Sequence, residues 1–211
     1  MGVSTFNKNH FKLCNSSVAI AGCNKADMLR LMKAVINYRN LKERELFSPE
    51  GRTCKTAKIM GFNIDDSDCD FEYMCCREPF ITVIDDVTAD SGAPGTEYLR
   101  LRKKLEIIGR SLAGQPIVIN GDRDRLKDLH SGNNIIYSYG IENQYSRFKA
   151  YDISWLAHGS SFSVDCGGEE YRITVPVRGR NGIYGALAAF TVGCLYGIDP
   201  RVTAGIIENR S

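Results

Sequence analysis

The chain has 211 residues, 43% of them hydrophobic and 25% charged, which suffices to bury one core with a small additional lobe. A formal net charge of +2 and a pI near 8.1 supply no broad electrostatic attraction for nucleic acid or an anionic membrane. The polar start, Met1 to Asn15, lacks the apolar stretch of a secretory signal. Gly182 to Ile198, the most apolar segment, is short for a membrane span and is broken by four glycines. The expectation is a cytoplasmic protein with neither nucleic acid nor membrane as partner.

Ser17 to Ala21 is an apolar run closed by Gly22, and Asp27 to Arg39 places Met28, Leu31, Met32, Val35 and Ile36 on one helical face. Leu41 to Asp68 is polar and reads as a connection, with an apolar patch at Ile59 to Ile64 that suits a strand. Phe71 to Cys76 and Phe80 to Val87 read as strands, the second continuous enough in apolar residues to be buried on both faces. Glu97 to Leu112 is an amphipathic helix with Leu101, Leu105 and Ile108 on one side, and Pro116 to Asn120 is a further buried strand. Strands alternating with helices predict an α/β fold: a doubly wound, mainly parallel sheet in three layers, of the kind found in P-loop nucleotide hydrolases.

From about residue 134 to 178 the pattern changes to short strands, Ile135–Tyr139, Ser146–Ile153, Ser161–Asp165 and Tyr171–Val177, with turns such as Gly167-Gly168. This predicts a small antiparallel β segment attached to the sheet. Ile183–Tyr196 and Pro200–Asn209 then return to helix. The eight cysteines are scattered, Cys69, Cys75 and Cys76 being the tightest group, and without a CxxC pair they read as reduced thiols rather than zinc ligands or a disulfide framework. His10, His130 and His158 have no partner spacing that suggests a triad or zinc site.

The final third carries a specific series of landmarks: IIYSYGIEN, then HGSSFSV, then ITVPVRGRNGIYGALAAFTVGCLYGIDPRVTAGIIEN. In this order they resemble the end of the Mur ligase central domain, with its Tyr-Gly turn, Gly-Ser-Ser-Phe hairpin, Ala-rich helix and Gly-Ile-Asp-Pro connection. ITVIDDVTADS, EYLRLRKKL and IVINGDRDRL extend the resemblance over nearly the whole chain, most thinly between Leu41 and Cys69. The resemblance implies a single central domain over 1–211, without the family's N-terminal UDP-sugar-binding and C-terminal amino-acid-binding domains. It also implies ATP and magnesium as cofactors.

Position by position, the family's catalytic pattern is altered. A phosphate-binding loop needs small residues that let backbone N–H groups approach phosphate, a lysine, and a hydroxyl for magnesium. Where the family has G-T-N-G-K-[ST], this chain has Gly22-Cys23-Asn24-Lys25-Ala26-Asp27. Gly22 and Asn24 persist. Lys25 replaces the second glycine, Ala26 the lysine and Asp27 the hydroxyl residue, so the segment is either a weakened phosphate loop with Lys25 swinging in or a plain strand, turn and Asp-capped helix. Asp90 keeps the family's Asp of the Asp-His pair, but Ser91 replaces the metal-binding His. Asp85, Asp86 and Asp90 either help hold a hydrated magnesium or form turns and caps.

The resemblance places a carbamylated lysine at Arg102, whose permanent cation either takes the place of a metal charge or lies exposed beside Arg100, Lys103 and Lys104. Glu72 stands where a metal-binding Glu is expected, at a shortened spacing to Asp86. Asn120 and Asp122 retain the family's Asn-x-Asp and either contact nucleotide or shape their turn, while Arg123 replaces the next Asp. The two adenine-pocket asparagines become Gly182 and Gly185. The set implied for nucleotide is therefore Gly22, Asn24, Lys25, Arg102, Asn120 and Asp122, with Glu72 and Asp90 for metal and no catalytic residue assigned. The expected function is a degenerate Mur-ligase-like domain, with ATP and magnesium binding weakened or lost, that binds a nucleotide, a phosphate anion or a protein partner. The alternative is the ATP-binding domain of a working amide-bond ligase, completed by fused ligase domains.

Overall fold

The computed structural model describes residues 18–21, 25–47, 59–62, 81–86, 114–126, 129 and 135–210. The parallel part of the sheet consists of β1 (Val18–Ala21), β2 (Ile59–Phe62), β3 (Ile81–Ile84), β4 (Pro116–Asn120) and β5 (Ile135–Gly140). β1 and β3 are buried at every residue, as strands covered on both faces must be. They are joined by β6 (Phe148–Leu156), β7 (Gly159–Cys166) and β8 (Glu169–Val175) in an eight-stranded sheet of order β2-β1-β3-β4-β5-β6-β7-β8. The pairing is parallel from β2 to β6 and antiparallel from β6 to β8. The expected α/β architecture with an antiparallel attachment is present.

β6 pairs with β5 only at Tyr139↔Phe148 and Gly140↔Lys149. It begins where β5 ends, so the β6–β8 meander extends beyond the carboxyl edge of the parallel strands. β7 enters that meander through Gly159, where an added Cβ would sit 2.1 Å from the Val175 carbonyl oxygen, so only glycine fits.

Three helices pack on one another and on one sheet face: α1 (Lys25–Phe47), α2 (Arg180–Leu195) and α3 (Pro200–Arg210). α1 buries Met28, Leu31, Met32, Val35 and Ile36 on its expected stripe. It continues to Phe47, so the reading of residues from Leu41 onward as a connection is corrected. The cause is composition: Leu41-Lys42-Glu43-Arg44-Glu45-Leu46 consists of good helix formers, and polarity alone does not end a helix. α2 is buried continuously from Gly182 to Cys194 and touches β4 through β8, which makes it the central helix of this layer. It approaches α1 at Gly185, where an added Cβ would lie 3.5 Å from the Met28 Cα, in ordinary van der Waals contact.

Several boundaries move relative to expectation. β3 ends at Ile84, leaving Asp85 and Asp86 beyond the strand, and β6 runs from Phe148 to Leu156 rather than from Ser146 to Ile153. β6 contains a register shift between Tyr151 and Ser154, with Asp152 at φ 47°, so the alternating pattern breaks where the strand bends. The expected strand Phe71–Cys76 and helix Glu97–Leu112 fall outside the described residues.

Candidate functional site

In an open parallel sheet, ligands favour the carboxyl ends of the strands at the point where the strand order reverses. Here the chain passes from β1 outward to β2 and returns across β1 to β3, so the switch point lies between β1 and β3. Asp85 occupies it. Its backbone N–H donates to the Ala21 carbonyl at 2.9 Å, tying the carboxyl ends of the two strands together.

Asp85 is 1% exposed. Its Oδ1 accepts from Asn120 Nδ2 at 3.0 Å and from the Tyr139 hydroxyl at 2.8 Å, which links the ends of β3, β4 and β5. Its Oδ2 is buried without a hydrogen-bond partner. Tyr139 is completely buried, and burial together with the adjacent Asp85 carboxylate raises its phenol well above the usual range, so it remains a donor.

A second cluster surrounds Asp122 in the turn after β4. Its carboxylate accepts from the backbone N–H groups of Ile141 at 2.6 Å, Glu142 at 3.1 Å and Asn143 at 2.8 Å, and from the Tyr184 hydroxyl of α2 at 2.9 Å. Partial burial opposes its ionisation, but these four donors outweigh burial and hold its pKa below the ordinary 3.8. Burial and the Asp122 carboxylate push the Tyr184 phenol upward. Asn120 Oδ1 accepts the Asp122 N–H at 3.1 Å, so the two clusters share a residue. At the rim, Arg123 lies 3.5 Å from Asp86 and stacks over the Tyr184 ring, while Arg180, at the start of α2, pairs with Glu142.

Of the residues singled out from sequence, the structure brings Asn120 and Asp122 into this one network, where their side chains bond internally and hold the β5–β6 turn. Lys25 opens α1. Its side chain, together with Gly22, Asn24, Glu72, Asp90 and Arg102, lies outside the described residues. Arg123, which replaces an Asp of the family pattern, forms an ion pair with Asp86. Sequence reading did not select Tyr139, Glu142 or Tyr184; Asp85 stood among the carboxylates read as magnesium holders or turn formers, and the structure puts it at the end of a buried strand beside an Asn-ended neighbour. Among the described residues, no group of three or more His, Cys, Asp or Glu side chains could hold a metal ion.

Gly182 and Gly185 have packing roles. A Cβ at residue 182 would lie 2.7 Å from the Val177 Cβ and 2.8 Å from its carbonyl oxygen, so this position has no room for a longer side chain. A groove of about 880 Å3 lies away from the carboxyl edge, between α1 and α3, with Leu29, Lys33, Tyr38, Val202 and Ile206 among its walls. It contains no cluster of titratable groups comparable to the one around Asp85 and Asp122.

Residues 95–193 match the family model described as the Mur ligase middle domain. Over 101 residues the chain is 29% identical to the UDP-N-acetylmuramoyl-tripeptide–D-alanyl-D-alanine ligase of Bacillus subtilis, a match spanning 48% of this chain and 21% of that enzyme. Among solved structures, MurF from Acinetobacter baumannii superposes with a TM-score of 0.70 at 13% identity, covering 93% of this chain and 46% of that one. MurF ligase from Thermotoga maritima in complex with ADP gives a TM-score of 0.70 at 13% identity, covering 92% and 48%. The chain thus spans less than half the length of these relatives.

Proposed function

We propose that this chain, a Mur ligase central domain related to the peptidoglycan-precursor ligases, has lost ATP turnover and retains the fold as a binding domain. The observation that carries this reading is the first turn of α1. There Asp27 stands at the position where the resemblance places the magnesium-binding hydroxyl, exposed and 3.9 Å from Arg30. A helix N-terminus attracts phosphate through its unpaired N–H groups and positive dipole end, and a carboxylate in the first turn competes for both.

The rest of the described edge agrees. Asp85, Asp86, Asp122 and Glu142 gather there, and the two nearby guanidinium groups are paired, Arg123 with Asp86 and Arg180 with Glu142. A triphosphate is poorly matched to that charge. At the positions of the adenine asparagines, Gly182 and Gly185 offer no amide, and Val177 fills the space a side chain at 182 would need. These residues do not fit ATP. Phosphoryl transfer depends on positioned positive charge, so replacing the loop lysine, the hydroxyl ligand and the carbamylated lysine together would remove most of the stabilisation such a step requires. An acidic edge also disfavours a free phosphate anion and suits a protein partner presenting basic groups, or a nucleotide accompanied by a cation. The chain's surroundings are then cytoplasmic, where peptidoglycan precursors are assembled.

One observation favours the alternative, the ATP-binding domain of a working amide ligase: the unpartnered Asp85 Oδ2 at the switch point could take a magnesium-bound water. Calorimetric titration with ATP, with and without magnesium, combined with phosphate-release measurements, separates the two. The expected result is no binding tighter than about millimolar, which corresponds to roughly 4 kcal/mol, and no release above background. Micromolar magnesium-dependent binding with turnover overturns the proposal.

A further inference from the structure

Where β7 meets the last turn of α2, two thiols face each other. Cys166 is the last residue of β7 and Cys194 lies in the last turn of α2, 28 residues later, with their sulfurs 3.9 Å apart and both free. We propose that Cys166 and Cys194 form a redox-active dithiol, a modification site that a low-molecular-weight disulfide of the glutathione type converts to an intramolecular disulfide.

The two sulfurs differ in ways that fix the order of events. Cys166 is partly exposed and directly precedes the exposed Gly167-Gly168 turn, whose residues both have positive φ, so a small reagent reaches it from solvent. Cys194 is 9% exposed and belongs to the core cluster with Phe190 and Ala204. The hydrogen bond between the sulfurs favours the thiolate at Cys166 and the thiol at Cys194, lowering the first pKa and raising the second. Arg147 assists the Cys166 thiolate, Asp165 and Glu169 oppose it, and Asp199 opposes ionisation of Cys194. An accessible attacking cysteine beside a sheltered resolving cysteine is the arrangement thiol–disulfide exchange requires.

The chemistry balances in two displacements. The Cys166 thiolate, its proton released to solvent, attacks one sulfur of the small disulfide; that S–S bond breaks and the departing thiolate takes up a proton. Cys194 then loses its proton and attacks the Cys166 sulfur of the mixed disulfide, expelling the second small thiol. The protein pair gives up two electrons and two protons, and the small disulfide, having gained both, becomes two thiols. Sulfurs at 3.9 Å must close to about 2.05 Å, a movement within reach of side-chain rotation at the end of β7. The bond ties the β7–β8 turn to the end of α2 and closes a loop that the reduced chain leaves open in its unfolded state.

The test uses the whole chain, incubated with glutathione disulfide and glutathione at a series of ratios, quenched by alkylation, digested and mapped by mass spectrometry. The expected product is a peptide linking Cys166 to Cys194, with the linked form melting roughly 5 °C higher than the reduced form. In brief alkylation of the reduced protein, Cys166 reacts at least tenfold faster than Cys194. C194A is expected to stop at a stable Cys166–glutathione adduct, whereas C166A leaves Cys194 unmodified. Because the linkage is read in the wild-type protein, the outcome does not depend on either variant folding. A wild-type chain in which Cys166 accumulates as the glutathione adduct beside a free Cys194, or in which neither reacts, overturns the proposal.

Discussion

Among the described residues, a polar hub at the parallel part of the sheet can be set against one on its antiparallel part. At the carboxyl edge of the parallel strands, Asp122 accepts from three consecutive backbone N–H groups and one tyrosine. On the antiparallel meander, Arg172 donates to Ser161 Oγ at 2.8 Å, Ser163 Oγ at 3.3 Å, Ser154 Oγ at 3.3 Å and the Asp152 carbonyl at 3.0 Å. Each makes about the same number of bonds, yet their structural weight differs. The three backbone partners of Asp122 lie in a turn with no ladder, and the fourth, Tyr184, is on α2, so the carboxylate itself fixes where the chain leaves β5 and ties that turn to the helix. Three of the Arg172 partners sit on paired strands, Ser161 and Ser163 in the ladder that runs from Ser160↔Val175 to Cys166↔Glu169 and Ser154 opposite Ser161, and the Asp152 carbonyl alone lies at the register shift of β6, so most of the guanidinium's bonds fall on a geometry the backbone has set. What a side chain's hydrogen bonds contribute depends on what else holds the groups they reach.

Substitutions measure that difference. D122A leaves three backbone donors and the Tyr184 hydroxyl without their acceptor and should cost about 3 kcal/mol, lowering Tm by roughly 10 °C. The pH dependence follows from the lowered carboxyl pKa. Stability from Asp122 is fully present above the unfolded-state value near 3.8 and is lost as pH falls through the lower folded-state value. The Tm gap between wild type and D122N should therefore be constant from pH 7 to pH 5 and close below pH 4. A gap that widens in acid contradicts the assigned charge state.

Y139F removes one of the two donors to buried Asp85 and should cost about 1.5 kcal/mol, read by urea denaturation with an unchanged slope. R172M should cost about 0.5 kcal/mol, since the ladder persists and the guanidinium is exposed. If R172M proves as damaging as D122A, the contrast between the hubs is wrong.

Much of the fold was readable because periodicity and packing agree. The α1 stripe from Met28 to Ile36, the apolar β1 and β4 runs and the Gly-Ser-Ser-Phe strand all needed burial, and burial is what apolar spacing reports. Helix length was less readable: Leu41 to Phe47 is polar but helix-forming, and only tertiary context separates such a stretch from a loop. The site was partly legible. Asn120 and Asp122 stood out as a motif, yet Asn120 bonds Asp85 just after β3, Asp85 in turn bonds Tyr139 of β5, and Asp122 bonds Tyr184 of α2, and no local pattern announces contacts 54 or 62 residues apart. The Cys166 and Cys194 pair was hidden for the same reason, its members separated by a hairpin and a helix.

The tight fit at Gly182 also shapes what this protein can become. A longer side chain there would be driven into Val177, whereas at position 185 an added Cβ would only reach van der Waals contact with Met28. A larger residue at 182 therefore demands a smaller one at 177 at the same time. A lone change at 182 is penalised by stability before any new contact rewards it, so the start of α2 and the segment before it can vary only as a pair.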